Sequence, residues 1–170
     1  FTMSHGVNRG ILKNNKKDER DSFINKLIEK NPNIVFDVYG YKNRQPIWSQ
    51  NFYDTISLSK MGLNLSRTNS VKYYTSNRIS SLVGNGLMTF VDKRTQLDDF
   101  FNSSEIVFYK DIQDLSEKLN FYKNNNDLRK KIAHKGQKKY FKLFNSEVVG
   151  GYILNKIFDI KNTKNFKWMK

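Results

Sequence analysis

Short apolar runs alternate along the chain with stretches in which apolar residues recur at helical spacing. The runs are apolar almost throughout and rich in β-branched and aromatic residues, which is typical of strands buried on both faces of a sheet. They lie at residues 34–39, 61–66, 87–91 and 106–109. The stretches between them predict helices. These lie at residues 22–30, 52–60, 78–83 and 97–101, followed by three helices capped by Asp111, Asp127 and Ser146.

This alternation of strands and helices predicts the fold class. It favours an α/β fold with a Rossmann-like parallel sheet flanked by helices. The 170 residues are enough for one domain with a substantial core and hardly enough for two. We expect a lead-in segment and first helix at 1–32, the Rossmann-like domain at 33–160 and a basic tail at 161–170. Because the chain begins with Phe1 and not with Met, we expect it to be a piece of a longer protein.

The composition excludes several kinds of site. With no cysteine, the chain has no disulfide framework, thiolate nucleophile or Cys-based zinc site. His5 and His134 lie far apart in the sequence and in no metal-binding motif, so we expect no metal. No uncharged apolar run approaches the roughly 18 residues of a membrane span, and the first residues lack the apolar core of a signal peptide. A cytoplasmic location is therefore expected.

The net charge of +14 indicates either an anionic partner or a bias in amino-acid composition. Nucleic acid, an anionic membrane surface and phosphorylated small molecules all suit a basic surface. The many lysines and asparagines also fit a bias in codon composition. Residues 123–142 hold eight Lys or Arg against one acid, Asp127. This segment is either a solvated helix surface or a peripheral contact with membrane phosphates.

The loop at residues 66–77 is the best candidate for a ligand site. In an open parallel sheet, ligands bind beyond the carboxyl ends of the strands. This loop follows a strand, carries Arg67, Lys72 and Arg78 near its ends, and leads into a helix that residues 75–77 can cap. These features suit a diphosphate. The alternative is a solvated loop whose tyrosines pack on the sheet. Gly84-x-Gly86 follows a helix, so it favours a helix end and not a phosphate loop.

The ordered set of segments resembles the C-terminal domain of group 1 glycosyltransferases over residues 34–154. The resemblance is closest to the branch with spore-maturation-type transferase domains. The segments that carry it are Val38-Tyr39-Gly40, the Gly-Leu-Asn-Leu-Ser run at 62–66, the Arg-led helix at 78–86, the strand at 105–109, the Asp-Leu-x-x-Lys-Leu helix at 114–119 and the Arg-Lys-x-Ile-Ala-x-x-Gly helix at 129–136.

The resemblance implies one lobe of an architecture with two facing Rossmann-like lobes, known as GT-B. This chain is then the lobe that binds a nucleotide-diphosphate sugar, usually without a metal, for transfer to a glycan or other acceptor. The N-terminal acceptor lobe is missing, so the isolated chain is expected to be inactive. No general base is identified. The implied donor-binding residues are Asn64, Ser66, Arg67, Lys72, Asn77, Arg78, Ser81 and Gly86.

One position departs from the family pattern and keeps an alternative open. Many relatives carry a Glu three residues after the helix-leading Arg, where it bonds the nucleotide ribose, and here that position is Ser81. A serine hydroxyl is a weaker partner than a carboxylate. The alternative is therefore a catalytically inactive, transferase-like module that binds nucleotide or glycan. Nucleic-acid binding is not favoured, because no patterned stacking motif is present.

Overall fold

A computed structural model describes residues 18–41, 44–66, 71–160 and 166 of the chain. Residues 1–17 of the predicted lead-in segment at 1–32, Arg67 and most of the basic tail lie outside these residues. In chain order, the helices and strands of the described residues are α1 (Arg20–Lys30), α2 (Ser49–Leu58), β1 (Met61–Asn64), α3 (Arg78–Gly84), β2 (Met88–Asp92), β3 (Val107–Tyr109), α4 (Ile112–Asn124), α5 (Asn126–Phe144) and α6 (Ser146–Ile157). Between β2 and β3 lie 3₁₀ turns at Lys93–Thr95 and Leu97–Asp99, the second where a short helix was predicted.

The described strands form one parallel sheet in the order β1-β2-β3. Met61 pairs with Met88 at the start of β1, and Asp92 pairs with Tyr109 at the end of β3. The central strand β2 is buried along its whole length. Because the strands are parallel, all of them end on the same side, which we call the carboxyl edge; the side on which they begin is the amino edge.

Helices cover both faces of this sheet. On one face, alternate residues such as Phe90 and Val107 pack against Leu27 of α1 and Leu115 of α4. On the other face, Val91 and Ile106 belong to a second core cluster with residues of α3 and the end of α5. Successive residues of a strand point to opposite faces, so Phe90 and Val91 serve different layers. The predicted α/β, Rossmann-like fold is confirmed.

The predicted strand at residues 34–39 is wrong. This segment is extended, but it does not pair with β1 or with any other described strand. Ile34 and Phe36 pack against the core, whereas the side chain of Val35 is 88% exposed. An apolar cavity of about 350 Å³ separates the segment from β1. The apolar sequence is thus explained by packing of one side of this segment on the core, without a strand ladder to β1.

The helix ends test the predicted caps. Asp111 accepts hydrogen bonds from the backbone N–H groups of Gln113 and Asp114, as predicted. The caps at Asp127 and Ser146 are wrong, because Asp127 is the second residue of α5 and Ser146 is the first residue of α6. The cap of α6 is Asn145, whose side chain accepts from the N–H of Val148 at 2.8 Å. An asparagine directly before the predicted serine offers the same cap one residue sooner.

The start of α3 also differs from prediction. Asn77 precedes the helix but makes no side-chain capping bond. The hydroxyl of Ser76 instead accepts a hydrogen bond from Nη1 of Arg78 at 3.2 Å. The helix itself has 7 residues, so its dipole supplies little field to a ligand.

Close packing at Gly136 holds α5 against the turn that precedes β3. A Cβ atom at this position would lie 2.2 Å from the backbone oxygen of Glu105. That distance is far inside van der Waals contact, and a backbone atom cannot rotate away as a side chain can. A side chain larger than hydrogen at this position therefore forces α5 away from the sheet.

We predict that Gly136→Ala lowers the free energy of unfolding by roughly 1–3 kcal/mol, the usual cost of overpacking. Gly150→Ala is the matched control, because a Cβ there meets no atom within 4 Å. Alanine is the better helix former, so the control should leave stability unchanged or raise it by up to about 1 kcal/mol. Urea unfolding of the two variants measures this. Equal stability of the two would contradict the packing described for α5.

Candidate functional site

The carboxyl edge gathers polar residues from all three strands. Asn64 ends β1, Asp92 ends β2 and Tyr109 ends β3, and Ser66 lies two residues beyond Asn64. All four are buried. In parallel sheets this edge is where ligands bind, because the loops that follow the strands meet there. The topology therefore brings these residues to the part of the fold that can form a binding site.

Three of these buried residues have polar atoms without a partner among the described residues. They are Oδ1 and Nδ2 of Asn64, Oγ of Ser66 and the hydroxyl of Tyr109. Asn64 is only 2% exposed and Tyr109 only 1%. A buried polar group without a hydrogen bond costs about 1–3 kcal/mol. Such groups are rare in folded proteins and, where they cluster, they indicate a place where a ligand or ordered water completes the bonding.

Arg78 anchors the end of β1 and adds positive charge to this edge. Its Nη1 donates to the backbone oxygen of Leu65 at 2.8 Å, so the guanidinium lies against the strand end. Burial, together with the nearby positive charge of Arg20, lowers the pKa of Arg78 from 12.5 to about 10. The guanidinium is still charged at neutral pH. An anion bound beside these two arginines would relieve their mutual repulsion.

Two Asp-x-Arg pairs hold further guanidinium groups with the same geometry. In the first, Nε and Nη2 of Arg94 donate to the carboxylate of Asp92 at 2.6–3.2 Å, and the backbone N–H of Arg94 donates to it as well. Asp18 holds Arg20 through the same set of atoms. Asp92 is buried, whereas the side chain of Arg94 is 68% exposed. Arg94 is thus held in one orientation by its ion pair with Asp92, and the rest of its guanidinium faces solvent near the carboxyl edge.

The hydroxyl of Tyr109 is a hydrogen-bond donor at neutral pH. Burial, and then the charge of Asp92, raise the pKa of Tyr109 well above its ordinary value, while Arg94 opposes this shift. The phenol therefore keeps its proton over the whole physiological range. It can donate to a ligand oxygen but cannot act as a base.

Lys72 lies on a neighbouring loop and is bound to an acid. Its Nζ is 3.5 Å from the Asp99 carboxylate and 4.6 Å from the centre of the Tyr73 ring. The hydroxyl of Tyr73 donates to the same carboxylate at 2.5 Å. Tyr73 and Asp99 raise the pKa of Lys72. A phosphate could recruit Lys72 only by competing with Asp99.

Asn77 is exposed directly before α3, and Ser81 is half-buried in the middle of that helix. The hydroxyl of Ser81 donates back to the backbone oxygen of Asn77 at 3.3 Å, and Ser80 donates to the same oxygen at 2.6 Å. Gly86 lies elsewhere: it precedes β2 at the amino edge, with a φ of +75° that suits a tight turn. The structure does not bring Gly86 together with Asn64 and Ser66, which lie at the other end of the strands. Its predicted contact with the nucleotide has no support in this placement.

Sequence reasoning missed three residues of the site: Arg20, Arg94 and Tyr109. The repeated Asp-x-Arg spacing at 18–20 and 92–94 was a signal that could have found two of them. Tyr109 ends a run that was predicted as a buried strand, and a polar group in that position is a further signal. No group of three His, Cys, Asp or Glu residues that could hold a metal occurs in the described part of the chain.

Comparison with known families gives one match. Residues 19–154 match a family model described as glycosyl transferase-like. A search of curated proteins finds no match to the chain. Among the helices that the structure describes, none is long and apolar enough to cross a membrane.

We predict that Tyr109→Phe leaves the free energy of unfolding unchanged or raises it, because the deleted hydroxyl has no partner to lose. Thr89→Val is the matched control: Thr89 is equally buried, but its hydroxyl donates to the oxygen of Leu87 at 2.9 Å. Loss of that bond should cost about 1 kcal/mol. Urea unfolding compares the two. A larger loss for Tyr109→Phe than for Thr89→Val would mean that the tyrosine hydroxyl has a partner in the protein.

Proposed function

The chain belongs to the glycosyl transferase-like family, and from that premise we propose that its carboxyl edge binds the nucleotide-diphosphate sugar donor of a glycosyl transfer reaction. The observation that carries the proposal is the set of buried, unpartnered polar atoms on Asn64, Ser66 and Tyr109 beside charged arginines. These atoms are enclosed in the ligand-free domain, so the side chains at this edge must move apart before a ligand rich in oxygen atoms supplies their partners. A nucleotide-diphosphate sugar is such a ligand.

The two arginines at the strand ends suit the diphosphate. In glycosyl transfer, the bond between the anomeric carbon and the phosphate oxygen breaks, and the diphosphate leaves with additional negative charge. Fixed cations that meet this charge lower the barrier, because they need no reorganisation when the charge develops. Asp92 holds Arg94 in one orientation, and Leu65 holds Arg78 through its backbone oxygen. Both guanidinium groups therefore support the leaving group in this proposal.

The neutral polar groups suit the uncharged part of the donor. Asn64 offers both a donor and an acceptor, as sugar hydroxyls require, and Ser66 can do the same. Tyr109 offers a protonated hydroxyl that donates to an oxygen. These groups would select the sugar by the positions of its hydroxyl groups and not by charge. Lys72 is an additional cation for the phosphates once it is released from Asp99.

The architecture, the location and the absence of a metal in this proposal follow from the resemblance found in the sequence. In this proposal the chain is the donor lobe of a two-lobed GT-B enzyme, close to the spore-maturation branch, and works in the cytoplasm without a metal. A facing N-terminal lobe binds the acceptor and supplies any general base. The isolated lobe then binds the donor but does not transfer the sugar.

A second candidate function is a module that binds nucleotide or glycan without catalysis. The observation that favours it is the hydroxyl of Ser81, which donates to the backbone of its own helix at Asn77. A hydroxyl used in this way is a weak ribose ligand. Comparison of a free nucleotide with its sugar conjugate separates the two candidates, because a working donor site recognises both parts.

Thermal unfolding with UDP, GDP, ADP and their sugar conjugates tests the proposal. We predict that one conjugate raises the midpoint more than its free nucleotide does, because a ligand that binds only the folded state stabilises it. Ser66→Ala and Arg94→Gln should reduce this shift, with an affinity loss of about tenfold for the arginine variant. Each variant is compared with its own ligand-free midpoint.

Lys131→Gln is the control, because it removes a positive charge from the exposed surface of α5, away from the carboxyl edge. Its ligand shift should equal that of the unmodified chain. An equal loss in Lys131→Gln and Arg94→Gln would contradict a specific site. A nucleotide that binds as well as its sugar conjugate would favour the non-catalytic module.

A further inference from the structure

A second basic groove lies at the amino edge of the sheet, across the domain from the proposed donor site. Its volume is about 580 Å³, within the range of small-ligand pockets. Lys60 lines it directly before β1, and Gly86 lines it before β2. Asn64 and the other polar residues of the carboxyl edge do not line it. The two sites are therefore separated by the length of the strands.

Positive charges from three separate elements meet in this groove. Lys60 comes from the turn before β1, Lys123 from the last turn of α4, and Lys130 from the first half of α5. No Asp or Glu is among the described residues that line the groove. Most cations of α5 are spread around the helix, which is typical of a solvated surface. In the groove, by contrast, lysines from three elements converge without an acid among them, and such an arrangement favours binding of an anion.

A buried arginine fixes the wall of the groove. Arg129 is only 6% exposed. It donates to the backbone oxygen of Tyr122 at 2.9 Å and to the side chain of Asn126 at 2.5 Å. These bonds tie the end of α4 to the start of α5, so Lys123 and Lys130 lie on either side of a braced connection. Lys123 is itself positioned by a bond from Nζ to the oxygen of Asn33.

The start of α5 adds to the attraction for an anion. This helix has 19 residues, and no side chain caps its first turn. Asn126, its first residue, lines the groove. The free N–H groups at the start of a long helix carry partial positive charge. Asp127 in the same turn offsets part of this charge, but it does not line the groove.

From this arrangement we infer that the amino-edge groove binds a phosphate group, on either a soluble phosphorylated molecule or a lipid headgroup. Phosphate carries the charge and the several acceptor oxygens that converging lysines and a helix start can satisfy together. The site is separate from the donor site and is occupied independently of it.

Amide NMR spectra during titration with inorganic pyrophosphate, and sedimentation with vesicles of phosphatidylglycerol or phosphatidylcholine, test the two sources. Lys60→Gln combined with Lys130→Gln removes two charges from the groove. Lys131→Gln combined with Lys142→Gln removes two exposed charges from α5 outside the groove. We expect the first pair to weaken binding at least about tenfold and the control pair to weaken it little.

If pyrophosphate shifts the amide signals of residues 126–130, and only the groove double variant loses these shifts, the ligand is a soluble phosphate. Binding to phosphatidylglycerol vesicles and not to phosphatidylcholine, with the same pattern of loss, supports a lipid headgroup. Equal weakening by the two double variants would overturn the inference, because net charge alone would then explain the binding. No binding of either probe at residues 126–130 would overturn it as well. Signals of Ser66 and Tyr109 report the donor site separately.

Discussion

Parallel pairing of β2 with both of its neighbours is the constraint on which the rest of the structure depends. A parallel pair cannot be joined by a tight turn, so every connection must return from the carboxyl edge to the amino edge, usually through a helix. The connection from β1 to β2 runs through α3, whereas the connection from β2 to β3 runs through 3₁₀ turns, and α4 follows β3. α3 and α4 pack on opposite faces of the sheet, and β2 is buried completely. The same constraint sorts the loops: those that follow strands meet at one edge, and those that follow helices meet at the other. Both the carboxyl-edge site and the amino-edge groove result from this sorting.

Buried polar groups at the carboxyl edge lower the stability of the fold. In the proposed function, these groups bind the ligand. Buried polar atoms on Asn64, Ser66 and Tyr109 lack partners among the described residues, and burial beside Arg20 lowers the pKa of Arg78. Apolar residues in these positions would fold at least as well, since each unpartnered group costs free energy. Stability lost at a functional site is common where binding requires polar groups that only the ligand satisfies. In the proposed function, the donor oxygens supply those partners.

Most of the fold could be predicted from the sequence because local pattern and tertiary burial agree. Three apolar runs, at β1, β2 and β3, become strands, and Asp111 caps its helix. Residues 34–39 carry the same pattern but pack on one side only, which periodicity cannot distinguish from pairing. The donor-binding residues stay a prediction; of these, Asn64 ends β1 and Ser66 lies two residues beyond it. The Asp-x-Arg spacing could have pointed to Arg94 and Arg20, but their location at this edge depends on turns that fold each guanidinium back on an aspartate.

A crystal structure of the chain with a bound nucleotide diphosphate is the most direct test of the central claim. We predict diphosphate oxygens within hydrogen-bond distance of Arg94 and Arg78, and ligand atoms that form hydrogen bonds with Asn64 and Ser66. Density for the nucleotide elsewhere on the domain, with the polar atoms of Asn64 and Ser66 bonded to protein groups instead, would contradict it.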